Sequence, residues 1–513
     1  MAKDKLLEEA MNPATQSAAY QKMTPKWDMI ETLLGGTEAM REASTRYLPM
    51  HMMEDQAQYK ERLERATLFN VMELTLDSLV GRPFFVPAKL SDGTPEDFQD
   101  WAKDVDARGT SLNSFLRGWF RESFAKGFTS VLVDMPVLTE EQRKGRTLAD
   151  DKKERRRPYL SLVKPENVIF ASSGIVNGVE VLTHVRIMET VVTRVGFAEV
   201  STVQIRVLEP GTWAIYKQIV DPKTQKVKWA KSEEGVTDMK DRIPLVTYYV
   251  TRSGLMECKP PLEDLAYMNV EHWQSKADQT SILTVARFPI LAVAGASESK
   301  GDNIGIGPRQ LMSTRDANGR FYYVEHSGAA IQAGSDDLKG LEERMSAYGA
   351  QFLRQRGDRM TGTERKMDSS ETMSPLRDAV IRFNDAANDV LALVETWMGK
   401  EPGKITVEIN KDYTDSDAGG ANTQALAEAR RLGDISHETY LKALQDMDIL
   451  SDEVNIKEEV ARVEKEKKEK EEAAQRTLEL QAKLKAQNAP KAAPPGKGSE
   501  EEDNESDSEE GKQ

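Results

Sequence analysis

Residues 260–285, PPLEDLAYMNVEHWQSKADQTSILTV, and residues 332–356, QAGSDDLKGLEERMSAYGAQFLRQR, decide the fold of this chain. The first stretch opens on Pro260-Pro261-Leu262, a helix start signal, and Pro289 forbids its continuation. Leu262, Leu265, Ala266, Val270, Trp273 and Ala277 recur at three- and four-residue steps and form one narrow apolar stripe, with Glu263, Glu271, Gln274 and Asp278 largely elsewhere. Such a helix spans roughly 36 Å at 1.5 Å per residue. With so little apolar surface it needs neighbours, from its own hairpin or from other subunits. The second stretch has acids near its start (Asp336, Asp337, Glu342, Glu343) and Arg354 and Arg356 at its end, which suits the helix dipole. The acids fit a solvated helix face as well as they fit a channel lining. Between the two helices, Ile290-Leu291-Ala292-Val293, a Gly-rich loop and Phe321-Tyr322-Tyr323-Val324-Glu325 predict two or three short strands. The expected unit is a helical hairpin with a small domain at its tip, an architecture for building a ring or tube.

Working outward, residues 1–80 read as helical, and residues 59–79 give the clearest helix, with Leu63, Ala66, Leu68, Val71, Leu74 and Leu76 spaced for a buried face. Residues 110–127 predict a helix whose Phe115, Trp119, Phe120 and Phe124 are core residues and not a base-stacking platform. From Phe128 the period changes to two. Residues 130–134, 159–163, 179–187, 191–195, 203–208, 212–220 and 245–250 read as strands of a largely antiparallel sheet packed on the N-terminal helices, and residues 140–157 as a charged surface loop. Residues 375–398 form a strongly amphipathic helix stopped by Gly399, followed by a brief strand at 404–410. A helical pair is expected at 422–432 and 436–444, then one charged helix to Gln487 and disorder to the end. The fold class is α+β.

The 513 residues suffice for about three units of roughly 150 residues. A single cysteine, Cys258, excludes an intrachain disulfide and a cysteine zinc cluster. No apolar run is long enough to cross a bilayer and Met1-Ala2-Lys3-Asp4-Lys5 begins no signal peptide, so a soluble chain with no membrane partner is expected. Net charge is −15. That argues against wrapping nucleic acid through a broad basic face, though not against letting it slide through an acidic, water-lined passage. Residues 488–513, with three lysines against eight acids, supply a third of the charge.

Catalytic patterns fail one by one. His51, His184, His272, His326 and His437 stand singly, without metal-ligand spacing. Gly399 to Lys404 has three residues between its glycines where a phosphate loop needs four, and Ile405 replaces Ser or Thr. Gly305-Ile306-Gly307 runs into Pro308 with no helix to follow. A calcium loop started at Asp415 puts Leu426 where a bidentate Glu belongs. No catalytic residue, metal or cofactor is expected. The alternative is a metal-dependent DNA-processing enzyme with magnesium on Asp336, Asp337, Glu342 and Glu343.

Tyr47-Leu48-Pro49, Tyr59-Lys60-Glu61-Arg62-Leu63 and Asn70 through Val80-Gly81-Arg82-Pro83 resemble the N-terminal signature of a family of tailed-bacteriophage portal proteins. Pro158-Tyr159-Leu160, Lys164-Pro165-Glu166-Asn167-Val168-Ile169, His272-Trp273-Gln274-Ser275, Ser327-Gly328-Ala329-Ala330-Ile331 and Glu371-Thr372 with Ser374-Pro375-Leu376 resemble it too, in order, from about 45 to 455. The resemblance implies a wing over 1–259, stem helices at 260–287 and 332–356, a clip at 288–331, and a tunnel loop at 357–370. It further implies an inner helix and strand at 371–410, a crown at 411–455, a charged helix at 456–487 and an acidic tail at 488–513. Arg354, Arg356, Arg359, Arg365 and Lys366 would face DNA from the tunnel loop, an alternative to an ordinary exposed loop. Implied partners are further copies of the chain in a ring, usually of twelve, and double-stranded viral DNA. The large terminase, the head-tail adaptor, and the capsid and scaffolding proteins complete the set. The implied location is the virion, with assembly in the host cytoplasm.

Overall fold

The computed structural model describes residues 11–136, 150, 156–220, 227–237, 239–287, 290–294, 318–324, 328–351, 375–411, 425–446, 449–450 and 454–487. The chain divides into two units, residues 1–413 and 414–513.

The first unit begins with α1 (Ala18–Leu34), whose N-cap Ser17 accepts a hydrogen bond from the Tyr20 amide, and α2 (Gly36–Ala43). Next come α3 (Gln56–Arg65), opened by an Asp55–Gln58 capping box, and α4 (Val71–Gly81), capped by Asn70. The single helix expected over 59–79 is therefore two. Arg41 donates two hydrogen bonds to the Ala66 carbonyl, and Asn70 accepts from the Glu73 amide, so both new helix ends are satisfied. The break resets the helical phase, and Leu74, expected in the buried set, faces outward. A short strand β1 (Lys89–Leu90), α5 (Glu96–Ala102) and α6 (Leu112–Lys126) complete the N-terminal half.

Two sheets follow where one was expected. Strands β2 (Phe128–Asp134), β3 (Tyr159–Val163) and β9 (Leu245–Tyr249) make an antiparallel sheet of order β3-β2-β9. Strands β4 (Val168–Val176), β5 (Val179–Val195), β6 (Ala198–Glu209), β7 (Thr212–Val220) and β8 (Val227–Val236) make a five-stranded antiparallel meander. The expected break between 187 and 191 is absent. No Gly or Pro interrupts 188–190, and β5 pairs with β6 without a shift from Val185 to Val195. Tight turns link the meander at Asn177-Gly178 and Gly196-Phe197, each with a positive φ at its first residue. Two short strands, β10 (Arg252–Gly254) and β11 (Glu257–Cys258), lead toward the hairpin.

Helices α7 (Glu263–Ala286) and α8 (Ala329–Gln351) flank β12 (Ile290–Ala294) and β13 (Arg320–Val324), and α9 (Pro375–Trp397) closes the core before β14 (Val407–Glu408) pairs with β1. α9 lays Phe383 against Trp119, Phe120, Tyr248 and Phe84, with ring centroids 4.9–6.3 Å apart. Trp119, Phe120 and Phe124 are wholly buried and Phe115 nearly so, which settles the aromatics of α6 as core. A second cluster, from Tyr20 and Trp27 to Ile187 and Ile205, joins α1 to the meander. Gly127, at φ 95°, ends α6, and a Cβ there would lie 2.0 Å from the Cys258 sulfur. Cys258 is buried, and burial pushes its thiol up to about 12.

In the second unit, residues 425–432 are helical, α10 (His437–Asp446) is capped by Ser436, and α11 (Ile456–Gln487) is a 32-residue, largely exposed helix. Among the described residues no helix is long and apolar enough to cross a membrane. The expected surface loop lies mostly outside the described residues, as do the middle of the expected clip and the acidic tail.

Candidate functional site

The two-helix hairpin is built as its spacing predicts, with α7 of 24 residues packed along α8 of 23. β12 and β13 pair antiparallel from Ile290 opposite Val324 to Ala294 opposite Arg320. α8 starts at Ala329, one turn earlier than expected. Leu262, Leu265, Ala266, Trp273 and Ala277 are buried, and the chain's own helices α1, α3, α4 and α8 cover them. Of the two expected sources of neighbours, its own chain and other subunits, the first covers the stripe.

The sequence reading missed that four polar residues of α7, Glu263, Asn269, His272 and Gln279, are buried as well. Glu263 pairs with Lys26 at 2.8 Å. Asn269 accepts from the Met72 amide and donates to the Phe69 carbonyl, serving both sides of the break before α4. The Gln279 side chain donates to the Ile331 carbonyl at the start of α8. Gly334 lets the two helices close, because a Cβ there would sit 2.3 Å from Gln279 Oε1. Asp278 receives Arg62 at 3.1 Å, and Arg62, itself buried, holds Glu54 at 2.7 Å. That hydrogen bond, opposed by burial, keeps the Glu54 carboxyl below its usual range. Each bond replaces water lost on burial, so polar positions off the apolar stripe fix the register of α7 in the body.

Of the predicted acids, Asp336, Asp337 and Glu343 are exposed on α8, and Asp336 accepts from the Gln332 side chain at 2.9 Å. Glu342 turns toward the hairpin partner and meets His272 Nε2 at 3.0 Å. Lys339 and Arg344 are exposed on the same helix, so its outer surface carries both signs. The four acids form no convergent ligand set among the described residues. Arg354, Arg356, Arg359, Arg365 and Lys366 lie outside the described residues.

One carboxylate cluster does converge among the described residues. Glu31, Glu122 and Glu166 bring ligand oxygens within 4.8 Å of one another. Their shared centre is already taken by the buried Lys126 ammonium, at 2.7, 2.6 and 2.5 Å respectively. Burial favours the neutral amine, but Glu122 and Glu166 outweigh it and raise the Lys126 pKa well above its ordinary value. Lys164 adds a second cation at 3.4 Å from Glu31. Two lysines thus offset most of the charge of the three carboxylates, and a metal would have to displace an ammonium from the cluster.

The loop from Gly399 to Lys404 receives a similar explanation. The buried Glu395 carboxylate accepts hydrogen bonds from the Gly403 and Ile405 amides at 2.6 and 2.9 Å. An anion of the protein itself therefore fills the amides that a phosphate loop would offer.

A family model described only as a domain of unknown function, DUF4055, matches residues 261–398, which span the hairpin and α9. No curated protein matches the chain. Similar solved structures include the neck of an empty GTA particle computed with C6 symmetry, at 9% identity and a TM-score of 0.40, covering 73% of this chain and 89% of that one. A chain in the virion of a native gene transfer agent particle is 9% identical over 74% of this chain and 89% of its own, at 0.38. A chain in the neck of the native particle computed with C12 symmetry is 11% identical, also at 0.38, over 73% and 89%.

Proposed function

We propose that this chain is the subunit of a portal ring: a homo-oligomer at one capsid vertex of a tailed phage, through which double-stranded DNA is packaged and later ejected. The observation that carries the reading is the hairpin, two helices of 24 and 23 residues bracketing an antiparallel strand pair. Such a unit, anchored at its base by Asn269, Glu263 and Arg62, gives each copy a stiff stave for a tube and a small tip for docking. The ordered sequence resemblance from about 45 to 455 supports the same reading. In it the tip receives the large terminase and then the head-tail adaptor, and the ring nucleates assembly with capsid and scaffolding proteins. The ring acts in the virion after assembly in the host cytoplasm, and the chain performs no catalysis. The basic side chains Arg359, Arg365 and Lys366 meet phosphates inside the channel, which an otherwise acidic chain leaves free to slide.

Negative-stain electron microscopy with mass in solution tests the architecture: rings with a hole wide enough for duplex DNA are expected, and a compact monomer at all concentrations refutes it. Replacing Arg359, Arg365 and Lys366 together by Ser is expected to leave rings intact and to reduce packaged DNA at least tenfold. Wild-type packaging by that variant removes the role of the three side chains.

A further inference from the structure

The β5–β6 pair runs on past the sheet that carries it. β4 pairs with β5 only as far as Ile187, and β7 pairs with β6 only from Gln204 onward. Residues 188–203 therefore form a two-stranded ribbon, and neither of its outer edges has a strand partner among the described residues. Its root is fixed. Glu189 accepts from Gln204 and Arg206 at 2.7 Å each, and Arg206 reaches Asp134 on β2.

Beyond that root nothing among the described residues covers the ribbon. Val191, Val195 and Val200 fall on one face and Val192 and Val203 on the other, all of them exposed, and Phe197 stands fully exposed at the turn. Exposed strand edges are ordinarily guarded by lysine, proline or a bulge. Residues 190–203 hold no lysine and no proline, and their pairing has no register shift. A lone two-stranded ribbon is marginal in water, and clustered apolar exposure of this kind marks an interaction surface.

Charge selects the partner. The chain carries −15, so two copies repel wherever their general surfaces meet. Residues 190–203 carry one cation and one anion, Arg194 and Glu199, directly opposite each other in the ribbon. The arm is thus an electrically neutral, apolar projection, a place where two like-charged copies can meet without repulsion.

We propose that residues 188–203 are a subunit-joining arm that seats on the neighbouring copy of this chain. The proposal rests on the ring reading above and names the element that closes the ring. The contact is heterologous, arm of one copy on the body of the next, which is the kind of interface that generates rings.

The test shortens the arm in the full chain by replacing residues 190–203 with Asn-Gly, retaining the Glu189–Gln204 pair. A second variant carries Val195→Ser and Phe197→Ser on the intact ribbon. Each is compared with wild type by sedimentation velocity, negative-stain microscopy, circular dichroism and thermal melting. Wild type is expected to form rings. The variants are expected to keep the wild-type spectrum and melting temperature while needing at least tenfold more protein to assemble. If the shortened chain fails to fold, the double-serine variant alone decides. Folded variants that assemble at the wild-type concentration overturn the proposal and leave the ring reading standing. Rings that form unchanged but lose another virion protein assign the arm to that protein and overturn it as well. A wild-type chain that is monomeric at every concentration overturns both readings.

Discussion

Lys126, read locally, is the cation at the C-terminal end of a helix, where the dipole favours it. In the fold it sits among Glu31, Glu122 and Glu166, and only Glu122, one turn back on the same helix, was legible from spacing. The other two acids come from α1 and from the turn before β4, so no local pattern announces them. Lys126→Met is expected to cost about 1.5–3 kcal/mol in urea unfolding at pH 7, because it removes the buried cation that the exposed Glu31 and the part-buried Glu122 and Glu166 share. A loss under about 1 kcal/mol refutes the ion cluster as a structural tie. The cluster also has a pH signature. Burial pushes the Glu31 carboxyl up, but hydrogen bonds and charge from Lys126 and Lys164 more than offset it and hold the pKa below its ordinary value. Its stabilisation is therefore complete above the unfolded value of about 4.3 and is lost as pH falls through the lower folded value. The stability gap between wild type and Glu31→Gln should be widest near pH 7 and close on acidification, as read by unfolding midpoints across pH 3–7.

Among elements, those with a strong period were legible and those shaped by distant partners were not. The hairpin helices, the amphipathic α9 and most strands follow from their spacing. The break at Ala66–Asn70 does not, since it depends on Arg41 reaching the Ala66 carbonyl across 25 residues. The division into two sheets was equally hidden, because strand period says nothing about which strand pairs with which. α7 shows the limit most clearly. Its apolar stripe was found, while Asn269, His272 and Gln279, polar by composition, turn out to be buried and bonded. The close approach of the hairpin at Gly334 can be tested by a double-mutant cycle with Gln279→Ala. Gly334→Ala alone is expected to destabilise by about 1–3 kcal/mol through overpacking. In the Gln279→Ala background the obstructing atoms are gone, and the same change is expected to stabilise by about 0.5–1 kcal/mol through helix propensity. Additive urea midpoints would show that the two helices do not meet there as described.

For the whole molecule, the α+β class and the hairpin were readable, and the predicted basic DNA-facing residues lie outside the described residues. In the proposed ring, the net charge of −15 would set neutral contacts against mutual repulsion. Rings are expected to form at several-fold lower protein concentration in 300 mM than in 50 mM salt. Removing residues 488–513, three lysines and eight acids, should weaken that salt dependence, as followed by light scattering. Salt-insensitive assembly would show that repulsion between copies is not the opposing force. The burial of α7 against the N-terminal helices has one more consequence, and it concerns birth on the ribosome. Asn269 completes the hydrogen bonding of a helix start 197 residues upstream, and Lys26 waits 237 residues for Glu263. At about 5–20 residues per second, α1 to α4 emerge roughly 10–50 s before the helix that covers them. Until then their apolar faces have no native partner on α7, so nascent chains of this protein should depend on chaperones until translation has passed the hairpin's first arm.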